Sequence, residues 1–232
     1  MKKILIIIPV INELSNLKII IKKLQSIIKS INILIIDDSS EDGTKEWLQS
    51  IKNKKIKYIR RNKKLGIGNA HIKGITWAYK NNFNIAITMD GDLSHEPKII
   101  KKFINKSKQG YDLILSNRYN KKINTYKNWP IIKKIINKIG RVIIIILFDI
   151  KYDLTSGLRL YNLKKIPIKN FTKIKKYKDY EFFVVSGIKF VKKFYVSEIY
   201  INMPYRKIGS SKMKIKHLIF WFITILKIKL SH

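Results

Sequence analysis

The sequence predicts an α/β domain with a mostly parallel central sheet and helices on both of its faces. Over the first 120 residues, short β-branched runs alternate with segments whose apolar residues recur at helical spacing, the β-α-β rhythm of a parallel sheet. Several strand-like runs are apolar throughout, as strands buried on both sides are. The polar residues with chemistry to offer come directly after those runs, at the rim where open α/β sheets bind ligands.

"KKILIIIPV" is a continuous β-branched run and the first strand. Its basic start mimics a secretory leader, but the run is short, Pro9 interrupts it, Asn12 and Glu13 follow at once, and no small-residue cleavage site comes after. "LSNLKIIIKKLQSIIKS" has helical spacing, "NILIIDD" is a second strand, and "EDGTKEWLQSIKN" opens with cap-type residues before turning helical. "KIKYIRR" is a third strand, "GNAHIKGITWAYKN" a helix and "NIAITMD" a fourth strand. "EPKIIKKFINKSKQ" is a helix with Pro97 in its first turn, where proline is tolerated, and "YDLILSN" is a fifth strand.

Beyond residue 120 the rhythm changes. "WPIIKKIINKIGRVIIIILFDI" is one long amphipathic to apolar helix, "DLTSGLRLYN" a polar turn entering a strand, and "YEFFVVSGIKF" another helix. A further strand, a Gly/Ser loop and a terminal apolar helix close the chain. Within that helix "HLIFWFITIL" holds about ten apolar residues, short of the roughly 20 needed to span a bilayer. With Lys on both sides and Trp221 and Phe222 inside, it docks on a lipid interface, on the domain, or on a partner protein that supplies membrane anchorage. There are no internal repeats and no disordered linker.

A chain of 232 residues, 46% of them hydrophobic, fits one folded domain or one domain with a short appendage. The formal charge of +34 invites a polyanionic partner. Yet only six of the 49 basic residues are Arg, and the chain is also rich in Ile and Asn, the bias of an AT-rich genome. A reader of base edges would favour Arg, so no nucleic-acid partner is expected. The absence of Cys excludes a disulfide framework and thiolate metal sites, and fits a reducing cytoplasm.

Two acidic stretches carry the chemistry. In "TMDGDLSHEP", Asp90 and Asp92 share a loop after a strand, a spacing that can hold a hard divalent cation bridging to phosphates. Asp92 can equally cap the helix near Pro97. In "IIDDSSEDGT", Asp, Ser and Gly serve as turn and cap residues, or one carboxylate accepts hydrogen bonds from a nucleotide base or ribose. Arg118, after the fifth strand, joins the same rim.

"IPVINELSNL", "IIDDSSEDGT", "LGIGNAHIKG", "TMDGDLSHEP", "SNRY", "DLTSGLRLYN" and "YRKIGSSKM" occur in the order and approximate spacing of family 2 glycosyltransferases. From about residue 4 to residue 213 the chain most resembles the dolichyl-phosphate and polyprenyl-phosphate mannosyltransferases. The resemblance implies a GT-A, Rossmann-like nucleotide-sugar fold over residues 1–213, with the apolar helix of residues 214–232 appended. It implies inverting transfer of a hexose, mannose from GDP-mannose being favoured, to a polyprenyl or dolichyl phosphate. The enzyme would act peripherally at the cytoplasmic face of the membrane.

Carried over by position, Pro9, Ile11 and Glu13 would line the nucleotide, with Ile36 and Asp38 beside base and ribose. Asp90, Gly91 and Asp92 would meet the diphosphate, and Asp90, Asp92 and Ser94 would hold Mg²⁺ or Mn²⁺. Arg118 would meet a phosphate, and Lys133 and Asn137 would extend that anion site, leaving Asp92 and Arg118 as the catalytic residues. Arg206 and Lys212 flank Gly209, Ser210 and Ser211 on a loop suited to closing over the diphosphate. Asp153 of "DLTSG" is a further candidate behind these groups. Ile11 stands where the family has an aromatic, and Lys133 where it has Arg, which keeps the charge but loses the bidentate fork.

Other features carry no chemistry in this reading. "GIGNAHIKG" is a tight turn before a helix rather than a phosphate loop, and His71 and His95 take surface or capping roles. Trp47 and Trp77 fill helix–sheet packing, and "NKKIKYIRRNKK" is a solvated strand edge. Two rivals remain: a family 2 transferase with another donor and a saccharide acceptor, and a basic module that binds nucleic acid or anionic membrane.

Overall fold

The structure, a computed structural model, describes residues 3–119, 129–206, 212–213 and 215–230. Strands β1 (Ile4–Val10), β2 (Asn32–Asp37), β3 (Ile56–Arg60), β4 (Ile85–Thr88) and β5 (Leu113–Asn117) alternate with helices α1 (Leu14–Ile27), α2 (Thr44–Ser50), α3 (Ile67–Lys80) and α4 (Ile99–Ser107). There follow α5 (Ile131–Phe148), β6 (Arg159–Asn162), α6 (Lys169–Thr172), α7 (Glu181–Val191), β7 (Val196–Tyr200) and α8 (Ile215–Leu230). Only the single turn α6 was not foreshadowed by an apolar pattern.

The seven strands form one sheet in the order β3-β2-β1-β4-β6-β5-β7. The pleat explains the unbroken apolar runs, because successive side chains point to opposite faces and both faces are covered. Leu5 and Ile7 of β1 and Leu34 and Ile36 of β2 pack with Ala70 and Ile75 of α3 and Phe182 of α7. Ile6, Ile8, Ile33 and Ile35 pack on the other face with Leu17 and Ile20 of α1, Leu48 of α2 and Phe103 of α4. Trp47 and Trp77 are half-buried against these two layers, as expected.

β6 departs from the parallel rhythm, running antiparallel to both β4 and β5, its neighbours on either side. A strand reversed in this way starts at the edge where β1, β2 and β4 end, so the turn before it is delivered to the rim. Thr88 at the end of β4 pairs with Arg159 at the start of β6, and the Thr88 hydroxyl donates to the Gly157 carbonyl at 2.7 Å.

Arg159 anchors that turn from inside. It is 1% exposed, and its guanidinium donates to the carbonyls of Leu154, Ser156 and Phe183 and to the Ser186 hydroxyl at 2.8–3.0 Å. One buried fork thereby ties the polar turn to α7. Arg159→Leu leaves buried carbonyls unpaired and should destabilise the fold by about 3 kcal/mol, lowering the melting temperature by about 5–10 °C in a circular-dichroism melt.

Candidate active site

A cavity of about 670 Å³ opens at the carboxyl edge of β1, β2 and β4. Pro9, Ile11 and Glu13 line it from the β1 end, Asp38 from the β2 end, and Asp90, Gly91, Asp92 and Ser94 from the loop after β4. Arg118, Lys133, Asn137, Arg206 and Lys212 complete it from the second half of the chain. Ile36 does not reach it: at 0% exposure its side chain lies under the sheet surface in the α3 layer, because the pleat turns it away from the rim. Gly209, Ser210 and Ser211 lie outside the described residues.

The loop after β4 folds back on itself. Leu93 takes a left-handed conformation (φ 61°), the Ser94 amide donates to Asp92 Oδ1 at 3.0 Å, and the Asp90 amide points at His95 Nδ1 3.4 Å away. Two glycines permit the approach: a Cβ on Gly91 would sit 2.6 Å from Val10, and one on Gly157 would sit 2.5 Å from Asp90 Oδ1. Burial raises the Asp90 carboxyl above its ordinary value; His95, Arg118 and Arg206 pull it back, while Asp92 pushes it further up.

The hydroxyl of Ser94, a residue only 4% exposed, has no hydrogen-bond partner among the described residues. Two carboxylates and an orphaned hydroxyl form a hard oxygen set that suits Mg²⁺ or Mn²⁺. Among the described residues no cluster of three or more His, Cys, Asp and Glu could hold a metal ion, so phosphate oxygens would complete the shell.

The cations arrive already paired. Arg118 is held bidentately by Asp153, with Nε to Oδ2 at 2.7 Å and Nη2 to Oδ1 at 2.9 Å, and its Nη2 also donates to the Thr155 hydroxyl. Burial alone would raise the Asp153 carboxyl, but Arg118 overrides it and holds the group below its usual range. Asn137 accepts from Arg118 Nη1 at 3.4 Å, and Lys133 Nζ donates to the Tyr205 hydroxyl at 3.0 Å while lying over that ring. Arg206 pairs with Glu13 at 2.6 Å and approaches Asp92 Oδ2 at 3.7 Å.

At the β2 end, Asp38 accepts from Arg61 at 2.7 Å and from the Leu65 amide at 3.0 Å. Burial nonetheless raises its carboxyl. Asp37, wholly buried behind it, pairs with Arg60 and accepts the Ser40 amide at 3.0 Å. Part of "NKKIKYIRRNKK" therefore differs from expectation. Lys57 and Tyr58 are exposed on edge strand β3, but Arg60 and Arg61 turn inward to the rim acids.

The "GIG" turn is as expected: Gly66 sits at φ +90° ahead of α3, and a Cβ on Gly68 would lie 2.5 Å from Phe182 Cβ. The histidines are a correction. His71 is 0% and His95 1% exposed, so neither is a surface group, although His95 Nδ1 does face a backbone amide. Burial, with Arg159 nearby, pushes His71 down to about 3, leaving it a neutral core ring against Phe182 and Phe183. Tyr180 and Thr155 also line the cavity without having been singled out by the sequence.

Past Asn137 the cavity turns apolar. Ile132, Ile136, Ile139 and Ile143 of α5 face Ile215, Leu218, Trp221 and Phe222 of α8 across it. Gly140 admits the Trp221 ring, since a Cβ there would lie 3.3 Å from it. α8 sinks Trp221, Ile225 and Ile228 into the same core layer as α3 and α7. Away from that lining, Ile131, Ile135, Val142 and Ile146 of α5 and Ile219, Phe220, Ile223, Leu226 and Leu230 of α8 are exposed. Among the described residues no helix is long and apolar enough to cross a membrane.

Comparison with known proteins bears on the family and the fold. The family described as Glycosyl transferase family 2 matches residues 5–199. A dolichol-phosphate mannosyltransferase of Pyrococcus furiosus is 36% identical over 162 residues, covering 67% of this chain, which spans only 45% of that relative's length. A polyprenol monophosphomannose synthase of Mycolicibacterium smegmatis is 28% identical over 220 residues, 91% of this chain and 81% of its own. In fold, the chain superposes with TM-score 0.70 on glucosyl-3-phosphoglycerate synthase from Mycobacterium tuberculosis, crystallised with Mn²⁺, UDP and glucosyl-3-phosphoglycerate. That match covers 99% of this chain and 79% of the other at 13% identity, a likeness of GT-A fold alone.

The raised Asp90 carboxyl has a thermodynamic consequence. An acid whose folded pKa lies above its unfolded value penalises the folded state once it ionises, and the penalty vanishes as pH falls below the unfolded value. In EDTA, Asp90→Asn should therefore melt higher than the parent at pH 7, with the advantage disappearing toward the ordinary carboxylate value of 3.8. Thermal-shift scans across that range are the check.

Proposed function

The chain belongs to glycosyl transferase family 2, and on that premise we propose that it moves a hexose from a nucleoside diphosphate sugar to a polyprenyl or dolichyl phosphate. GDP-mannose is the favoured donor, and the protein works while bound peripherally at the cytoplasmic face of a membrane. One observation carries the reading: a single cavity joins the acidic, phosphate-handling rim to an apolar trough between α5 and α8. A saccharide acceptor has no use for walls of Ile132, Ile136, Leu218 and Phe222, whereas a polyprenyl chain does.

Asp90, Asp92 and Ser94 would hold Mg²⁺ or Mn²⁺, which when bound neutralises charge on the leaving diphosphate as a Lewis acid. Arg206, beside Asp92, and Lys212 add cationic donors to the cavity lining. Arg118, locked by Asp153, and Lys133 present positive charge where the rim meets the trough, and so orient the acceptor phosphate. A phosphate monoester has its second pKa near 6, so it is already a nucleophile at neutral pH and needs no strong general base. A phosphate oxygen attacks the anomeric carbon from the side opposite the diphosphate. The bond to the diphosphate oxygen breaks, its electron pair leaves with the nucleoside diphosphate, and the configuration inverts. Asp92 orients the acceptor, and the trough's apolar lining keeps water from competing.

The exposed stripes of α5 and α8 support membrane docking. They lie on the same two helices that line the trough, and Lys134, Lys138, Lys216, Lys227 and Lys229 on those helices suit an anionic lipid surface.

Radiolabel from GDP-mannose should enter a solvent-extractable lipid when polyprenyl phosphate is supplied, and Asp92→Ala should abolish that transfer with its thermal melt essentially unchanged. Label from a UDP-sugar alone, or label retained in a water-soluble saccharide, would overturn the donor or the acceptor assignment. Exposed Phe220 and Ile223 give a separate test: the double substitution Phe220→Asp and Ile223→Asp should cut co-sedimentation with anionic vesicles by about tenfold or more while leaving the melt intact.

A further inference from the structure

Glu13 was expected to line the nucleotide, yet both of its carboxylate oxygens are engaged within the protein. Oε1 takes Arg206 Nη2 at 2.6 Å, and Oε2 takes Asn16 Nδ2 at 2.6 Å. The Glu13 side chain is 7% exposed and that of Arg206 8%, so the pair is largely buried at the wall of the cavity. The other arm of the same guanidinium, Nη1, lies 3.7 Å from Asp92 Oδ2. Arg206 therefore bridges the acid at the end of β1 and an acid of the loop after β4.

We infer that Arg206, held beside Asp92 by its pairing with Glu13, competes with a divalent cation for that carboxylate until a nucleoside diphosphate arrives. The inference rests on the metal-site reading given above. In this arrangement the guanidinium already meets part of the charge of Asp90 and Asp92. A dication placed between them would stand within a few ångströms of a fixed positive charge in a sheltered site, where like charges repel strongly. A donor diphosphate changes the balance by bringing negative charge of its own, enough for the dication and Arg206 to have separate anions. Nucleotide and metal then favour each other's binding, and by linkage each tightens the other by the same factor. The planar fork suits this role, since its two arms reach two carboxylates at once, which an ammonium does less well.

Binding of Mn²⁺ to the full chain, read by the electron paramagnetic resonance of free Mn²⁺, tests this without any turnover. The parent should bind Mn²⁺ weakly alone and far more tightly with GDP or UDP. Arg206→Gln and Arg206→Met remove the charge and should bind Mn²⁺ alone roughly tenfold more tightly than the parent, narrowing the gap made by nucleotide. Arg206→Lys keeps the charge and should stay near the parent. Circular-dichroism melts verify folding, and either neutral variant suffices if the other fails to fold. Neutral variants that bind Mn²⁺ alone no better than the parent overturn the competition, as does Arg206→Lys tightening as much as Arg206→Gln. No Mn²⁺ binding by any form, with GDP or UDP present, overturns the metal-site reading itself and the inference with it.

Discussion

Two carboxylates forced together at the end of β4 are the constraint around which the site is arranged. Asp90 and Asp92 repel each other, and burial raises the Asp90 carboxyl further. Such an arrangement persists only when its surroundings over-determine it. Here Leu93 bends the loop with a left-handed backbone, Gly91 and Gly157 let it press against β1 and the turn before β6, and His95 lies beneath it. Reversal of β6 is what supplies the Gly157 turn, so the one antiparallel strand in this half of the sheet has a direct consequence for the acid pair.

The same reversal sets the far wall. Asp153 and Thr155 sit on the approach to β6 and hold Arg118 from behind, so the cation is oriented before any ligand enters. Charge that is already in place needs no reorganisation during reaction, which is the main electrostatic advantage an enzyme has over water. α5 then carries Asn137 beside Arg118 and continues as one wall of the trough, so a phosphate and an apolar tail can be received by a single continuous surface. The deep anchoring of α8 through Trp221 and Ile225 leaves its opposite stripe free to face lipid.

Much of this was legible in the sequence because it depends on local pattern. Strands buried on both faces leave unbroken β-branched runs, and loop residues after each strand must reach the rim, so Asp38, Asp90, Asp92 and Arg118 could be named without coordinates. Position along a strand does not reveal which way a side chain turns, and Ile36 was therefore misplaced beside the base. Nor does a run such as "KYIRRNKK" reveal that its two arginines fold inward while its lysines stay in water. His95 was obscured for the opposite reason: a lone histidine lacks a partner at metal spacing in the sequence, and its partner is a backbone amide. The pairing of Arg206 with Glu13 spans 193 residues, beyond the reach of any local pattern.

Arginine usage connects these points. In a chain with 49 basic residues, only six are Arg. Four of them pair with carboxylates around the rim: Arg60 with Asp37, Arg61 with Asp38, Arg118 with Asp153 and Arg206 with Glu13. Arg159 is a fifth, buried with its fork divided among three carbonyls and a hydroxyl. On an open surface Lys and Arg are nearly equivalent, and a bias toward Lys has little effect there. At a buried carboxylate a planar fork fixes direction as well as charge, and an ammonium cannot replace it without loosening the pair. Lys133 shows the contrast, since among the described residues its ammonium meets the Tyr205 hydroxyl and ring and no carboxylate. The rare arginines of a lysine-rich chain therefore mark where geometry, rather than charge alone, is required. Three of them, Arg61, Arg118 and Arg206, line the cavity itself.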